Sequence, residues 1–592
     1  MIEEMKSDLW PLLTKVKRPV RYTGGEWGGS SFKPEGNGNL VRMCLAFPDV
    51  YEVGMSYLGF QILYSLVKTL DYADAERACC PWVDMEREMR ASSVPLRSFE
   101  SGRILRDFDV IGVTLQYELC STNILTMLDL GRVPLRSRDR GERAPLVIGG
   151  GPGALAPGPV EKFFDAFCLG DGEAVLPELL LALAETKGLD RASRLDAISA
   201  IPGVYIPGGG PARRRIAEEL DEGFIHRTMI VPNANIVHDR AAVQVFRGCT
   251  RGCRFCQAGM TDRPFRERGA SSVARQIKEL LAYTGWEEIG LLSLATCDWR
   301  PLGELLDCLR PILASGGIKL SLPSLRMDAF SVELASRLEG IRRGGLTFAP
   351  EAGSDRLRRV INKGLDPSDI TGALDAAFRH GWDRVKLYYM MGLPTETLRD
   401  LDGIIETANE AVRCAKAHKR RGDVSVSLAG FVPKAHTPFQ WEAQASREEL
   451  RERGRSVKSR VRNKKIALSY HEPDQTFLEG VFARGDSSLG EAIEEAWRRG
   501  ARFDGWTECF DLARWMNVFS DLGIDAESYA SRERSLDEAL PWDVIDCGVT
   551  KEFLARERER AMRAETTDDC RAGGCNACGW NLPAAAGGFC GR

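Results

Sequence analysis

Short apolar runs alternate with longer stretches of helical periodicity in the first third of the chain. The apolar runs lie at Leu40–Phe47, Val110–Leu115, Leu146–Ile148 and Ala166–Leu169, and the helical stretches include Leu58–Leu70 and Ala174–Leu183. This alternation is typical of a parallel sheet with helices on both faces. The sequence therefore predicts an α/β, doubly wound, Rossmann-like domain over residues 1–190.

The central third repeats the alternation of strand and helix six times. Predicted strands are Ala242–Phe246, Ile289–Leu294, Ile318–Leu322, Leu346–Phe348, Val385–Tyr389 and Val424–Phe431. Predicted helices are Val273–Leu281, Leu302–Leu313, Val332–Leu338, Asp355–Ile361, Ile370–His380 and Leu398–Ala417. Right-handed crossovers curl six such units into an open (β/α)6 barrel over residues 241–440, with functional groups gathered at the carboxyl ends of the strands.

The remaining segments carry other patterns. Proline and glycine interrupt the periodicity of residues 191–240, which predicts a linker with a short strand pair. Beyond Gln440 the periodicity is helical with few turn signals, so we expect the strands to stop there and a helical extension to cover residues 441–545. Residues 546–592 form a short cysteine-rich tail.

Composition sets the class of protein and its compartment. The 592 residues are too many for one core and imply about three or four domains. A net charge of −4 excludes a global attraction to polyanions. Neither a secretory leader nor an apolar run of about 18 residues occurs, which predicts a cytoplasmic protein with no membrane contact. The 17 cysteines cluster at two places, a pattern that fits metal ligands better than disulfides.

Three cysteines form one short loop directly after the first predicted barrel strand. Cys249, Cys253 and Cys256 follow the spacing C-x3-C-x2-C. Three thiolates can each hold one iron of a cubane, which leaves the fourth iron open to a small molecule. A closed zinc site needs a fourth ligand, which the loop does not contain. Structural zinc and unligated cysteines remain the alternatives.

The cysteine spacing after a strand resembles the radical S-adenosylmethionine (SAM) superfamily. The resemblance implies a [4Fe–4S] cluster whose open iron binds SAM, and an electron donor such as ferredoxin or flavodoxin. It also implies SAM contacts at the strand ends, which by position in this sequence are Ser293, Thr296, Arg326, Gly392 and Glu396.

Each of these strand-end residues has a particular expected role. Ser293 and Thr296 stand where the family contacts the SAM amino group, and Arg326 can pair with its carboxylate, although a surface ion pair is the alternative. Gly392 and Glu396 belong to Gly392-Leu393-Pro394-Thr395-Glu396-Thr397, which resembles the family's G-L-P-x-E-T signature, and Gly392 would let the backbone approach the adenine.

Two strand-end residues are candidates for catalysis. Glu351 resembles a glutamate that related enzymes aim into the site, and a helix-capping charge is its alternative role. His436 lies in the Pro433–Pro438 loop after the sixth strand, where a proton donor or a substrate contact is the functional hypothesis. A lone loop histidine usually has neither role.

The N-terminal domain resembles the cobalamin-binding domain of one branch of the superfamily. The matching segments are Pro48–Met55, Gly149-Gly150-Gly151-Pro152 and Gly170-Asp171-Gly172-Glu173. All six histidines, at 226, 238, 380, 418, 436 and 471, lie beyond residue 190, so the family's D-x-H-x-x-G motif is absent. Cobalamin is therefore expected without a histidine ligand from this domain. A relic domain that binds nothing is the alternative.

A second cysteine cluster lies in the tail. Cys570, Cys575, Cys578 and Cys590 follow C-x4-C-x2-C-x11-C, which matches the spacing of plant-type [2Fe–2S] sites. A Zn(Cys)4 knuckle fits the same residues, and Cys547 is a possible replacement ligand. The tail thus holds a second iron–sulfur cluster or zinc.

The function predicted from these features is reductive cleavage of SAM by a radical SAM enzyme. With cobalamin the outcome is methylation, and without it methylthiolation or another radical rearrangement. Eight basic residues and one acid between Arg451 and Lys465 favour an RNA substrate over a small molecule, although a solvated amphipathic face with Leu450, Val457 and Val461 turned inward is the more common reason for such a stretch. A non-catalytic iron–sulfur scaffold or RNA-binding module is the alternative function.

Overall fold

A computed structural model describes residues 8–29, 32–33, 39–315, 317–322, 326–328, 346–573 and 575–580. Of the sequence predictions, the helix at Val332–Leu338 and the tail residue Cys590 lie outside these ranges. No helix in the described part of the chain is long and apolar enough to cross a membrane.

The N-terminal domain is a six-stranded sheet covered by helices, as predicted. Its strands are β1 Val41–Phe47, β2 Ala73–Cys79, β3 Val110–Thr114, β4 Leu146–Gly150, β5 Ala166–Cys168 and β6 Val204–Tyr205. The strand order is β2-β1-β3-β4-β5-β6, parallel except for β6. The next strand after β1, β2, lies on one side of β1, and β3 lies on the other side. A crevice therefore opens between the carboxyl ends of β1 and β3.

The linker contributes strands to its neighbours on both sides. β6 adds to the N-terminal sheet, whereas β7 Ala212–Arg213 pairs with β17 Ile545–Asp546 near the tail. The expectation that residues 191–240 form a strand pair of their own is therefore wrong. The β7–β17 pairing brings the C-terminal segment back to the junction between the two larger domains.

The central part is built from parallel strands in two runs. These strands are β8 Ala241–Gln244, β11 Glu288–Leu292, β12 Lys319–Ser321, β13 Leu346–Glu351, β14 Arg384–Met391, β15 Asp423–Gly430 and β16 Ile466–Tyr470, while β9 Phe246–Arg247 and β10 Arg266–Glu267 form a short antiparallel pair. The runs are β12-β11-β8 and β13-β14-β15-β16. β16 lies beyond Gln440, so the expectation that strands stop there is wrong.

The α-helices cover both sheets and continue into the C-terminal region. In the first two segments they are Trp10–Leu13, Tyr51–Gly54, Leu58–Thr69, Val83–Ala91, Ser121–Leu130, Gly172–Glu185 and Arg191–Ser199. In the central part they are Gln257–Thr261, Ala270–Thr284, Leu302–Ser315, Asp355–Val360, Pro367–Arg379 and Leu398–Ala417. Thereafter they are Arg447–Arg460, Pro473–Ala483, Leu489–Arg498, Leu512–Asp521, Ala526–Ser531, Lys551–Met562 and Cys570–Gly573.

The helix Arg447–Arg460 carries most of the basic stretch that suggested RNA. Leu450 and Val457 are buried, as the amphipathic alternative predicted. Arg453 binds the carboxylate of Glu396, Arg451 is paired with Asp474, and Arg460 with Asp402. These arginines are neutralised within the chain, and an RNA substrate therefore stays a prediction without support from this helix.

A buried ion pair joins the N-terminal domain to the barrel. Asp171, in the loop between β5 and the helix Gly172–Glu185, accepts hydrogen bonds from Arg266 at 2.6 Å and lies 3.2 Å from Arg247. Burial raises the pKa of Asp171, but these two guanidinium groups outweigh that effect and lower the pKa to about 2. The carboxylate is therefore charged throughout the physiological pH range.

Asp171→Asn is expected to lower the free energy of unfolding at pH 7 by roughly 2–3 kcal/mol, because it removes the carboxylate that pairs with Arg266, whereas Arg247 keeps its ion pair with Glu173. The wild-type contribution is present above the unfolded carboxyl pKa of about 3.9 and is lost as pH falls through the folded pKa of about 2. Urea unfolding of both proteins between pH 2 and pH 7 measures this. Glu178→Gln, which removes an exposed partner of Arg215, serves as the control and should cost under about 1 kcal/mol. Equal effects of the two substitutions would contradict the prediction.

Candidate active site

The cysteine loop begins where the first barrel strand ends. Gly248 has a φ of +81°, and a Cβ at this position would lie 2.4 Å from the carbonyl oxygen of Pro264. Gly252 has a φ of +69°. Both positions need glycine because the backbone is left-handed there, and Gly248 also has no room for a side chain. The chain therefore makes two sharp turns, at Gly248 and Gly252, on either side of Cys249.

The three thiols of this loop lie near one another and are half-buried. Burial, with a smaller contribution from neighbouring Cys253, raises the pKa of Cys249 to about 11 and that of Cys256 to about 12. The backbone N–H of Gly259 donates to the Cys256 sulfur at 3.2 Å. Because only thiolates bind metals, occupation of the site has to release these protons.

The polar residues between the cysteines anchor the loop. Arg254 is fully buried and donates to Glu557 at 3.0 and 3.1 Å. Arg251 donates to Asp298 at 2.8 Å and to Asp328 at 2.9 Å. These bonds connect the loop to the ends of β11 and β12 and to the C-terminal helix, so the positions of the cysteines are fixed from three directions.

The residues predicted to contact the SAM amino acid group lie around this loop. The hydroxyls of Ser293 and Thr296, after β11, are 2.9 Å apart. Arg326 is buried and donates to Asp328 at 3.0 Å and to the carbonyl of Lys363 at 2.6 Å. The ion pair of Arg326 with Asp328 does not lie at the surface, because the exposed fraction of Arg326 is 8%. Arg326 lies beside the cysteine loop, because it and Arg251 of that loop both donate to Asp328.

Glu351 ends β13 with an unusual backbone conformation. Its φ is +66°, which non-glycine residues rarely adopt and which functional sites tolerate more often than other places. The side chain is 3.3 Å from the ammonium of Lys363. Ser354 rather than Glu351 caps the following helix Asp355–Val360, since its hydroxyl accepts from Leu357 N–H. The N-cap hydrogen bond of this helix therefore belongs to Ser354, and the role of Glu351 stays a prediction.

Gly392 and Glu396 interact with each other. Gly392 N–H donates to the Glu396 carboxylate at 2.8 Å, and Arg453 donates to it at 2.6 Å. Gly392 has a φ of +80°. Glu396 thus holds the turn after β14 closed, and a direct cofactor contact by this carboxylate stays a prediction.

His436 is buried where three segments meet. Its Nε2 is 2.8 Å from the carbonyl oxygen of Leu155 in the N-terminal domain, and Cys547 of the C-terminal segment contacts the same ring. Its backbone N–H donates to Gln440 at 3.0 Å. This geometry is that of an interdomain contact, and a role as proton donor or substrate contact stays a prediction.

A cavity of about 500 Å³ lies at the carboxyl ends of the N-terminal strands and faces the barrel. Its floor includes Gly149, Gly150 and Gly151, and its barrel side includes Gln244 and Arg247. Two of the three glycine-containing segments singled out in the sequence thus line one space, at the crevice where doubly wound sheets bind ligands. His238 of the linker also lines this cavity, a contribution that the sequence did not predict.

A second cavity of about 160 Å³ lies next to it and shares Gln116 with it. Gln257, which directly follows Cys256, lines this cavity, as does Lys434 from the loop after β15. The ammonium of Lys434 is 2.5 Å from Glu118 and 2.7 Å from Glu479. Sequence reasoning missed Lys434, although it stands two residues before His436 in the same loop.

The tail cysteines lie against the cysteine loop. Cys570, Cys575 and Cys578 share a small cavity of about 20 Å³ with Cys249. Cys575 is exposed, Cys570 half-buried and Cys578 buried. Within the described ranges, no three histidine, cysteine or carboxylate side chains converge as one metal ion requires. The tail metal stays a prediction.

The fold and the cysteine loop define a protein that carries three thiols for an open iron–sulfur cluster at the carboxyl end of a parallel barrel strand. Residues 243–408 match the family described as the radical SAM superfamily, and residues 59–207 match the family described as the N-terminal part of radical SAM proteins. These matches span more than half of the sequence. The chain belongs to the radical SAM superfamily and is an enzyme of that kind, which implies a [4Fe–4S] cluster and SAM.

The chain is also similar to individual proteins of known sequence or structure. An uncharacterized protein of Methanocaldococcus jannaschii, MJ0966, is 25% identical over 492 residues, which are 82% of this chain and 98% of that protein. The ribosomal protein uS12 methylthiotransferase RimO of Thermotoga maritima is 22% identical over 45% of this chain and 67% of its own length. The structure of the radical SAM methyltransferase TsrM from Kitasatospora setae, with cobalamin and a [4Fe–4S] cluster bound, is 15% identical and covers 77% of this chain and 98% of that one, with a TM-score of 0.49.

Proposed function

We propose that this protein is a cobalamin-dependent radical SAM methyltransferase. The observation that carries the proposal is the glycine-floored cavity between the carboxyl ends of the N-terminal strands and the first barrel strand, beside the cysteine loop. A cofactor in this cavity would face the same junction as the SAM site. The non-catalytic scaffold considered from the sequence does not fit membership in an enzyme superfamily.

The residues around the cavity suit a large, flat and mostly apolar ligand. A Cβ added at Gly150 would meet no atom nearer than 3.9 Å, so the bare backbone forms that part of the floor. Gly151 has a φ of +99°, and a Cβ there would lie 2.9 Å from the Gln116 amide. Gly150 therefore leaves the backbone open to a ligand, whereas Gly151 is needed for the turn and for the close contact with Gln116. When bound, cobalamin would supply a methyl carrier.

The other roles in this proposal belong to residues of the barrel. Cys249, Cys253 and Cys256 hold the cluster, which when bound supplies the electron that splits SAM into methionine and a 5′-deoxyadenosyl radical. Ser293, Thr296 and Arg326 bind the amino acid part of SAM by hydrogen bonds and charge. Gly392 meets the adenine, and Glu351 is the candidate catalytic carboxylate of the barrel.

The substrate would occupy the second cavity, between Gln257 and the Lys434 loop. That cavity borders both the cysteine loop and the larger cavity, so a substrate there would be within reach of both cofactors. RNA and a small molecule both remain candidate substrates. A cytoplasmic location and a ferredoxin- or flavodoxin-class electron donor are parts of the same proposal.

Anaerobic purification with hydroxocobalamin, followed by incubation with SAM and dithionite, tests the proposal. Corrin absorbance that stays with the protein, together with 5′-deoxyadenosine or S-adenosylhomocysteine formation, is the expected result. A protein that cleaves SAM but retains no corrin would contradict cobalamin dependence and leave the relic-domain alternative.

The state of the bound cobalt provides a second test. We expect the electron paramagnetic resonance spectrum of bound cob(II)alamin to lack nitrogen splitting from an axial imidazole, because no histidine occurs before residue 226. His238 is the histidine to check, since it lines the cavity from the linker. Splitting that disappears in His238→Ala would show that this residue is a cobalt ligand and would overturn the expectation.

Methylthiolation is the second candidate reaction. It is favoured by the similarity to RimO and to a putative methylthiotransferase of Methanocaldococcus jannaschii, which is 24% identical over 166 residues. This reaction needs no corrinoid. Mass spectrometry of RNA nucleosides and small metabolites from wild-type and deletion cells separates the reactions, because a methyl group and a methylthio group add different masses.

A further inference from the structure

We infer that the tail cysteines hold a second iron–sulfur cluster that passes electrons to the SAM-binding cluster. This inference rests on the proposed SAM cleavage and adds the path by which the electron arrives. Its basis is the position of Cys570, Cys575 and Cys578 in one small cavity with Cys249. A thiol set at this position lies next to the first ligand of the catalytic loop.

Hydrogen bonds hold the two cysteine sets together. The hydroxyl of Thr250, the residue after Cys249, donates to Asp569, the residue before Cys570, at 3.0 Å. Asn362 extends this contact, since its side-chain amide donates to the carbonyls of Gly252 at 3.2 Å and of Thr567 at 3.1 Å. Thr250 and Asp569 are each directly next to a cysteine, so the two cysteine sets cannot move apart without breaking this hydrogen bond.

The described part of the tail is packed in a hydrophobic core. Trp580 is 7% exposed and lies with Trp441 and Trp542 in a hydrophobic cluster that also contains Cys578. A Cβ at Gly548 would lie 2.0 Å from the Trp580 ring, which shows how closely that indole is packed. Structural zinc typically stabilises segments that lack a core, so this packing favours an iron–sulfur cluster over zinc.

The exposure of the cysteines provides a direction for electron transfer. Cys575 is exposed, Cys570 is half-buried and Cys578 is buried, so the set extends from the surface towards the interior. A protein reductant can reach the surface end, whereas all three thiols of the catalytic loop are half-buried. In a [4Fe–4S] cluster each thiolate binds a separate iron, so three thiolates that do not converge on one metal ion can hold such a cluster.

The electron balance of the step is simple. A flavodoxin- or ferredoxin-class protein gives one electron to the tail cluster, which passes it to the SAM-binding cluster. That electron enters the carbon–sulfur bond of the SAM sulfonium, which breaks into methionine and the 5′-deoxyadenosyl radical. Each cluster returns to its oxidised state, and one external electron is consumed for each SAM cleaved.

The test compares wild-type protein with Cys575→Ser/Cys578→Ser under two reductants. We expect the variant to lose one cluster's iron and sulfide and to keep the SAM-binding cluster. Its rate of 5′-deoxyadenosine formation should stay within about twofold of wild type with dithionite, which is small enough to reach the inner cluster, and fall at least about tenfold with flavodoxin and its reductase. Cys308→Ser, at an exposed helix position, is the matched control and should change neither rate.

Several results would overturn the inference. Zinc rather than iron in the tail, measured by mass spectrometry of the metals, would show a structural site. An equal loss of both rates would show that the tail only supports the catalytic loop, and the milder variant Cys575→Ser checks this at an exposed position. If wild-type protein cleaves no SAM with either reductant, the proposed function fails. The path of the electron can still be measured by the bleaching of cluster absorbance after reduced flavodoxin is added. Equal bleaching rates in the wild type and the double variant would refute the relay.

Discussion

Cys253→Ala is expected to reduce 5′-deoxyadenosine formation to background. Cys253 is the middle cysteine of the loop and the proposed second ligand, held between the turn at Gly252 and the buried Arg254. Its loss leaves two thiolates for a cluster that needs three, and the open iron can no longer be presented to SAM. The measurement is product formation by chromatography together with the iron content of the anaerobically reconstituted protein.

Cys308→Ala is the matched control for this experiment. Cys308 is an exposed thiol on the helix Leu302–Ser315, so its removal tests whether loss of any cysteine disturbs reconstitution. The control should keep its iron and its rate. Retained SAM cleavage in Cys253→Ala would remove the assignment of the cysteine loop as the catalytic cluster site. Iron left in that variant should belong to the tail.

The elements that the sequence predicted closely are those that local signals define. The helix Leu398–Ala417 has its predicted bounds because Thr397 and Asp400 form a capping box at its start. The helix Ala270–Thr284 buries Val273, Ile277 and Leu280 on one face, as their spacing predicted, and ends at Gly285 with a φ of +70°. Caps and periodicity act within a few residues, so one sequence is enough to recognise them.

The strands that the sequence did not predict include β2 and β16, whose positions depend on residues distant in the chain. β2 carries Asp74, Glu76 and Arg77, which are buried and satisfied by partners elsewhere in the chain. Arg77, for example, donates to Glu100 at 2.7 Å and to Glu26 at 3.0 Å. A strand that depends on distant partners for its charges has no apolar alternation to reveal it. β16 follows a charged helix and is short, so its pairing with β15 is likewise decided by tertiary contacts.

The features of the candidate site also differ in whether local sequence signals reveal them. The cysteine loop follows from spacing and strand context, which are local. The contact of the tail with Cys249, the ion pair of Lys434 with Glu118, and the burial of His436 against Leu155 all join residues more than 200 positions apart. One sequence without relatives carries no signal for such contacts. They became visible only when the fold brought the segments together.

Gly150→Phe is expected to abolish retention of corrin while leaving SAM cleavage by the barrel intact. Gly150 ends β4 and lines the larger cavity, and a Cβ there meets no atom nearer than 3.9 Å. The aromatic side chain is therefore accommodated without backbone strain and occupies space that a flat ligand would need. Corrin absorbance after anaerobic gel filtration with hydroxocobalamin measures retention, and substrate-free 5′-deoxyadenosine formation reports on the cysteine loop.

The control for this substitution is Gly141→Phe. Gly141 has no atom within 4 Å of an added Cβ, and it lies in the exposed segment before β4 rather than at the cavity. Both variants add the same apolar group to a glycine with free space, so only the cavity distinguishes them. Corrin retained equally by both proteins would place the corrinoid elsewhere, whereas corrin lost only in Gly150→Phe, with SAM cleavage unchanged, ties cofactor binding to the carboxyl ends of the N-terminal strands. Methyl transfer should then fall together with corrin in that variant, because the corrinoid is the proposed methyl carrier.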